Sequence, residues 1–115
     1  MKGMVKMRIE WGKMQEMKLE NFYGGKKELY ANMYADEKNR ILRGRLEPGA
    51  SIGAHAHESS SEIIFILSGS GVAVCDSVQE ELYAGICHYC PKGHTHCLKN
   101  TGTEPLAFFA VVPQQ

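Results

Sequence analysis

The chain has 115 residues, 43% of them apolar and 23% charged, with 13 Lys+Arg balancing 13 Asp+Glu. That length suits one domain whose core needs no disulfide, in a composition ordinary for a globular protein. No apolar run approaches the roughly 18 residues of a membrane span, and the opening MKGMVKMRIEWGKM has no signal-peptide core. A cytoplasmic location is therefore expected, with Cys75, Cys87, Cys90 and Cys97 as reduced thiols. Charge is uneven. Residues 1–45 hold 11 Lys+Arg and 6 Asp+Glu, and residues 46–115 hold 2 and 7. The lysines are scattered and no reading helix accompanies them, which argues against nucleic acid as a partner. Complementary surfaces of one domain, or of a dimer, account for the split.

Residues 1–20 are Met-rich and mixed in period. Val5, Met7 and Ile9 alternate as an edge strand would, followed by an irregular segment; Met14, Met17 and Leu19 fit a short amphipathic turn less well. Tyr23-Gly24-Gly25-Lys26 is turn chemistry before a strand at Glu28–Ala35. Asp36–Asn39 turns into a strand at Arg40–Leu46, and Pro48-Gly49 ends it. Ser51–His57 is extended, Glu58–Ser61 is a polar turn, and Glu62–Leu67 is a β-branched and aromatic strand. Ser68–Gly71 turns again. Val72–Cys75 and Glu80–Tyr83 then flank an Asp76–Gln79 turn as a hairpin. Short strands at Cys87–Cys90, Thr95–Lys99 and Ala107–Val112 complete the chain. Many short strands at regular spacing, with almost no helical period, predict an all-β sandwich or barrel. Residues 1–27 read as an N-terminal edge segment and 28–113 as the barrel of a single domain.

The chemistry centres on Gly49–Gly69. His55 and His57 are two apart, so an extended backbone points both imidazoles the same way. Glu62 opens the next strand. Two imidazoles and a carboxylate suit a divalent first-row metal. A fourth ligand must come from a strand reaching the same interior, and His96, after the Pro91-Lys92-Gly93 turn, is placed for it.

The spacing resembles that of the cupin superfamily. Gly49, His55, His57, Glu62 and Gly69 match its first motif; Gly85, Pro91, Gly93, His96 and Asn100 match its second, with 15 residues, Ser70–Ala84, between. This short spacer is similar to that of small single-domain microbial cupins. The resemblance implies a double-stranded β-helix, or jelly-roll barrel, in which His55, His57, Glu62 and His96 hold one divalent transition metal (Fe, Mn, Ni, Co or Zn). It leaves one or two coordination positions open. Asn100 reads as a turn cap, and the motif glycines as turn residues with positive φ. Ile86 stands where cupins often have Asp, a position that is usually structural.

Cys87-x2-Cys90 with His94, His96 and Cys97 superficially resembles a zinc knuckle. Strand alternation separates Cys87 from Cys90, however, and a redox pair would want a helix N-terminus. The cysteines are expected as small buried hydrophobes, and His88 and His94 as loop or surface histidines. By parity Ile64, Ile66 and Leu98 face inward with the ligands. By analogy with the family, so do Leu42, Leu46, Phe108 and Ala110. The expected pocket is apolar, with Arg43, Arg45 or Tyr30 entering only if a bulge shifts the register. A small molecule chelating through a carbonyl, enol or carboxylate fits it. The function expected is a metal-dependent enzyme of oxygenase, isomerase, decarboxylase or lyase type, or else a non-catalytic metal and small-ligand binding module. Beyond Glu62, the candidate acid/base residues are Tyr30, Tyr89 and His88. A homodimer exchanging the N-terminal segment is expected from the family resemblance.

Overall fold

A computed structural model describes residues 8–115. It has ten strands: β1 Met17–Glu20, β2 Glu28–Ala35, β3 Asn39–Leu46, β4 Ser51–Ala56, β5 Glu62–Ser68, β6 Ser70–Cys75, β7 Val78–Tyr83, β8 Cys87–Cys90, β9 Thr95–Lys99 and β10 Leu106–Pro113. They form two antiparallel sheets, ordered β1-β2-β3-β10-β5-β8 and β4-β9-β6-β7. The sheets face each other as a jelly roll, and inward side chains of both fill the space between. Alternation is clean where the sheet is half-buried: β10 buries Leu106, Phe108, Ala110 and Val112, and β5 buries Glu62, Ile64 and Ile66.

Local chemistry sets the turns. Asp76 and Ser77 alone join β6 to β7, both with positive φ, at 50° and 71°. A two-residue hairpin loop of that kind matches the twist of its strands, so the turn is tighter than the expected Asp76–Gln79. Gly93 has φ 89° in the β8–β9 turn. Gly44 serves packing instead, since a Cβ there would lie 2.7 Å from the Phe108 ring.

Two features near the N-terminus differ from expectation. The Val5–Ile9 strand lies largely outside the described residues, and Ile9 itself is in no strand. The edge strand is Met17–Glu20, paired with β2. Residues 8–16 are irregular around a 3-10 turn, Trp11–Lys13, and lie over the outer face of the larger sheet. There Trp11 stacks on Phe109, Asn32 donates to the Met14 carbonyl (3.2 Å), and Arg45 pairs with Glu16.

β4 does not alternate along its whole length. Its register against β9 shifts between Ile52 and His55. Ile52 is buried, Ala54 is exposed, and His55 and His57 again point inward. A bulge changes which parity faces the core. It lets one short strand present an apolar side chain and then two odd-numbered imidazoles to the same interior.

Candidate metal centre

His55 sits opposite His96 across β4 and β9, His57 lies just past the end of β4, and Glu62 opens β5. One ligand atom from each of the four lies within 4.8 Å of all the others. Glu62 Oε1 is 2.9 Å from His57 Nε2, 3.0 Å from His96 Nε2 and 3.8 Å from His55 Nε2. His57 Nε2 and His96 Nε2 are 3.0 Å apart. Burial alone would raise the Glu62 carboxyl, but contacts with His55, His57 and His96 outweigh it and hold the group well below the usual carboxylate range.

Each imidazole has its other nitrogen engaged outside the cluster. His55 Nδ1 lies 2.8 Å from the Gly53 carbonyl. A carbonyl only accepts, so His55 Nδ1 carries a proton, and a ring with that single proton presents a lone pair at Nε2. His57 Nδ1 meets Ser60 Oγ at 3.2 Å, and His96 Nδ1 meets His88 Nε2 at 3.0 Å. Both contacts suit the same tautomer. Three nitrogen lone pairs and a carboxylate oxygen would then converge with no proton among them, an arrangement that repels itself unless a cation sits between. The donor set fits a divalent transition metal, with outer hydrogen bonds fixing ring orientation as metal sites require.

His88 corrects the expectation of a loop histidine. It is 2% exposed, and its Nδ1 has no hydrogen-bond partner among the described residues, although Glu80 Oε1 stands 3.4 Å away. Burial, and then His96, push its imidazole pKa down, so it favours the neutral form that an accepting Nε2 needs. β8 alternates, and its buried positions are His88 and Cys90, with Cys87 and Tyr89 exposed. Cys87 is thus no buried hydrophobe, and it faces away from Cys90. His94 is exposed as expected and contacts Asp76.

Beside the cluster opens a cavity of about 460 Å³, its mouth included. Leu42, Ile64, Leu98 and Phe108 line it; Leu46, Ile66 and Ala110 do not, although all three are buried in the core. Inward parity runs the length of a strand, whereas the cavity occupies only part of the interior, and the Ala110 methyl is short. Leu29, Ile52, Val112, Phe22 and Tyr23 line it as well. So does Arg40, which shares the parity of Leu42 and lies opposite Val112. The expectation that a basic side chain would enter only by a bulge is therefore corrected. β2 and β3 pair without a shift. Tyr30 and Arg45 stay outside, the guanidinium 4.2 Å from the ring centroid, and Arg43 donates to Asn32 at 3.0 Å. Tyr89 is likewise exposed, so among the described residues Tyr23 is the one phenol on the cavity. Its ring stacks on His55 at 4.0 Å. Asn100 caps its turn: its side-chain nitrogen donates to the Leu46 and Glu104 carbonyls (2.8 Å each), and its oxygen accepts from the Gly102 N–H (2.8 Å).

Residues 42–112 match the cupin domain family model, described as Cupin_2. The chain is a cupin. It is 36% identical over 101 residues to an oxalate-binding protein of Thermotoga maritima, covering 83% of this chain and 84% of that protein. Its structure superposes with TM-score 0.89 on a Thermotoga maritima protein described as a predicted oxalate decarboxylase, at 30% identity over 95% of this chain and all of that one. A Cupin 2 conserved barrel protein of Salinispora arenicola shares the fold, with TM-score 0.70 and 22% identity over 97% of this cupin and 90% of its own chain. Among the described residues, no helix of the cupin is long and apolar enough to cross a membrane.

Proposed function

We propose that His55, His57, Glu62 and His96 hold one divalent transition metal and that the metal and Arg40 together bind a small dicarboxylate of the size of oxalate. The observation carrying this reading is the convergence of three imidazole nitrogens on Glu62 Oε1 at the wall of a cavity lined otherwise by apolar side chains, Tyr23 and Arg40. A metal there supplies a Lewis-acid point for a chelating carboxylate. The protein contributes the rest. Outer hydrogen bonds from Gly53, Ser60 and His88 keep the imidazoles aimed, apolar walls exclude competing water, and the Arg40 guanidinium offers paired N–H donors to a planar carboxylate. The similarity to an oxalate-binding protein supports the ligand class.

The binding reading takes precedence over catalysis for a structural reason. Among the described residues, every carboxylate and imidazole on the cavity belongs to the four-residue cluster. The second reading, decarboxylation of oxalate with one proton to carbon dioxide and formate, needs a proton donor outside it. Tyr23 is the candidate, held with φ 53° at the mouth.

Calorimetry with manganese-loaded protein tests both readings. Oxalate is expected to bind the loaded protein and not the metal-free protein, and Arg40→Met is expected to weaken it roughly tenfold or more, as loss of a charged hydrogen bond does. Equal binding by the metal-free protein would overturn the proposal. Carbon-13 oxalate followed by NMR separates the two readings, because formate appears only if the protein turns over.

The same reading extends to a homodimer exchanging its N-terminal segment. Support comes from the edge strand β1, with Met17 exposed, and from the segment's lying across the sheet largely through Trp11, Asn32 and Arg45 contacts. Removing residues 1–10 is expected to give monomer or aggregate in sedimentation; an unchanged dimer would refute the exchange.

A further inference from the structure

A second group of ligating side chains lies away from the cavity, where the β6–β7 hairpin meets the β8–β9 turn. Cys75, Asp76 and His94 bring one sulfur, one carboxylate oxygen and one imidazole nitrogen within 4.8 Å of one another. Neighbours in an extended strand point to opposite faces, so Cys75 and Asp76 would ordinarily diverge. The left-handed backbone of Asp76, φ 50°, ends that alternation and lets both side chains serve the same spot. The carboxylate is held at both oxygens: Oδ1 accepts the Thr95 N–H at 3.3 Å, and Oδ2 contacts His94 Nδ1. The Asp76 N–H donates to the Thr95 carbonyl at 3.0 Å, fixing the hairpin tip on β9.

The imidazole is held from behind. The His94 N–H donates to the Pro91 carbonyl (3.2 Å), and its own carbonyl accepts from the His57 N–H (3.1 Å). Cys90 Sγ lies 3.6 Å from that same carbonyl. Cys75 is only partly buried, and Asp76 and His94 are open to solvent. An entering ion therefore meets a thiol at the end of β6 and a carboxylate and an imidazole on two turns already fastened together.

We infer that Cys75, Asp76 and His94 form a second metal site, at the rim of the barrel, for a borderline-soft divalent cation of the zinc class. The donor types decide the class. Thiolate with imidazole selects zinc, cobalt or copper over magnesium, calcium or manganese, and three protein ligands leave a fourth, tetrahedral position to water. Binding releases the Cys75 proton to solvent as the thiolate forms. The site differs from the inner cluster in having sulfur, so one probe tells them apart.

Cobalt(II) is that probe, added to the full chain under a non-thiol reductant. Thiolate ligation gives a near-ultraviolet charge-transfer band, which the sulfur-free inner cluster cannot give. The wild type is expected to take two cobalt ions per chain with the band present. Cys75→Ser should abolish the band and leave one ion, and His94→Gln should weaken the ion that gives the band. A combined His57→Ala, His96→Ala variant should keep the band and one ion. Loss of the band in Asp76→Asn, with an unchanged melting profile, would support the site independently of the cysteine variant. A band that survives Cys75→Ser would overturn the assignment, as would a wild type that binds cobalt with no band at all.

Discussion

The two clusters belong to neighbouring strands, with Cys75 of one opposite His96 of the other across β6 and β9, yet they are built in opposite ways. The inner one draws its four ligands from β4 and the residue just past it, β5 and β9, and keeps His57, Glu62 and His96 buried. Each of its imidazoles is oriented by a partner that is not itself a ligand. The rim cluster draws Cys75 from the end of β6 and Asp76 and His94 from two turns, with the His94 and Asp76 side chains each 47% exposed. Its orientation comes mainly from backbone contacts. Burial with complete outer support fixes geometry in advance and excludes wrong partners, whereas exposure with backbone support leaves entry easy and geometry forgiving. The first arrangement suits a metal held in fixed geometry against a small ligand; the second suits holding an ion.

The largest expected effect breaks the inner cluster outright. His57→Ala with His96→Ala should abolish inner-site metal in elemental analysis of protein purified without a chelating column, with the β-sheet signal in circular dichroism retained. Stoichiometric metal in a protein that also lacks Cys75 would sink the inner site as drawn. A smaller effect is expected from outer support. His88→Ala removes the acceptor at His96 Nδ1 and should weaken inner metal binding by about 10–100-fold, with partial recovery in His88→Gln. Cobalt at the rim should be unmoved, so an equal loss at both sites would mean that His88 acts through general stability. The smallest effect tests the scaffold. Gly44→Ala drives a methyl toward the Phe108 ring and should cost about 1–3 kcal/mol in urea unfolding, from overpacking. It leaves every ligand in place, so metal stoichiometry at both clusters should hold.

These contrasts also explain what the sequence made legible. Turn chemistry and alternation located nine of the ten strands, because Gly, Pro, Asp and Asn mark turns by backbone preference. The inner ligands were legible because their spacing is a strand property: residues two apart share a face. The bulge between Ile52 and His55 was not, since no residue type announces it, yet it reconciles Ile52 with His55 on one wall. β1 was missed because four residues on a sheet edge need little apolar pattern. Arg40 was legible in principle, sharing the parity of Leu42, but a charged residue at the start of a strand reads as solvated. His88 had the same problem within Cys87–Cys90, where only the observed burial says which face is inside. The rim cluster was least legible of all, because Asp76 and His94 are 18 residues apart and meet only through a left-handed turn residue.

Arg40 on the inner face has one more consequence, which concerns charge balance. With the proposed divalent metal, three neutral imidazoles and the Glu62 carboxylate, the centre carries a single net positive charge, and Arg40 adds another. An apolar enclosure tolerates uncompensated charge poorly. A dianion would make the filled cavity electroneutral, whereas a monoanion would leave it positive. On the proposed function the cavity would therefore act as a valence filter. Among small carboxylates of similar shape it should favour the doubly charged one, and a ligand that lost one charge in place would be held less firmly than the one that entered.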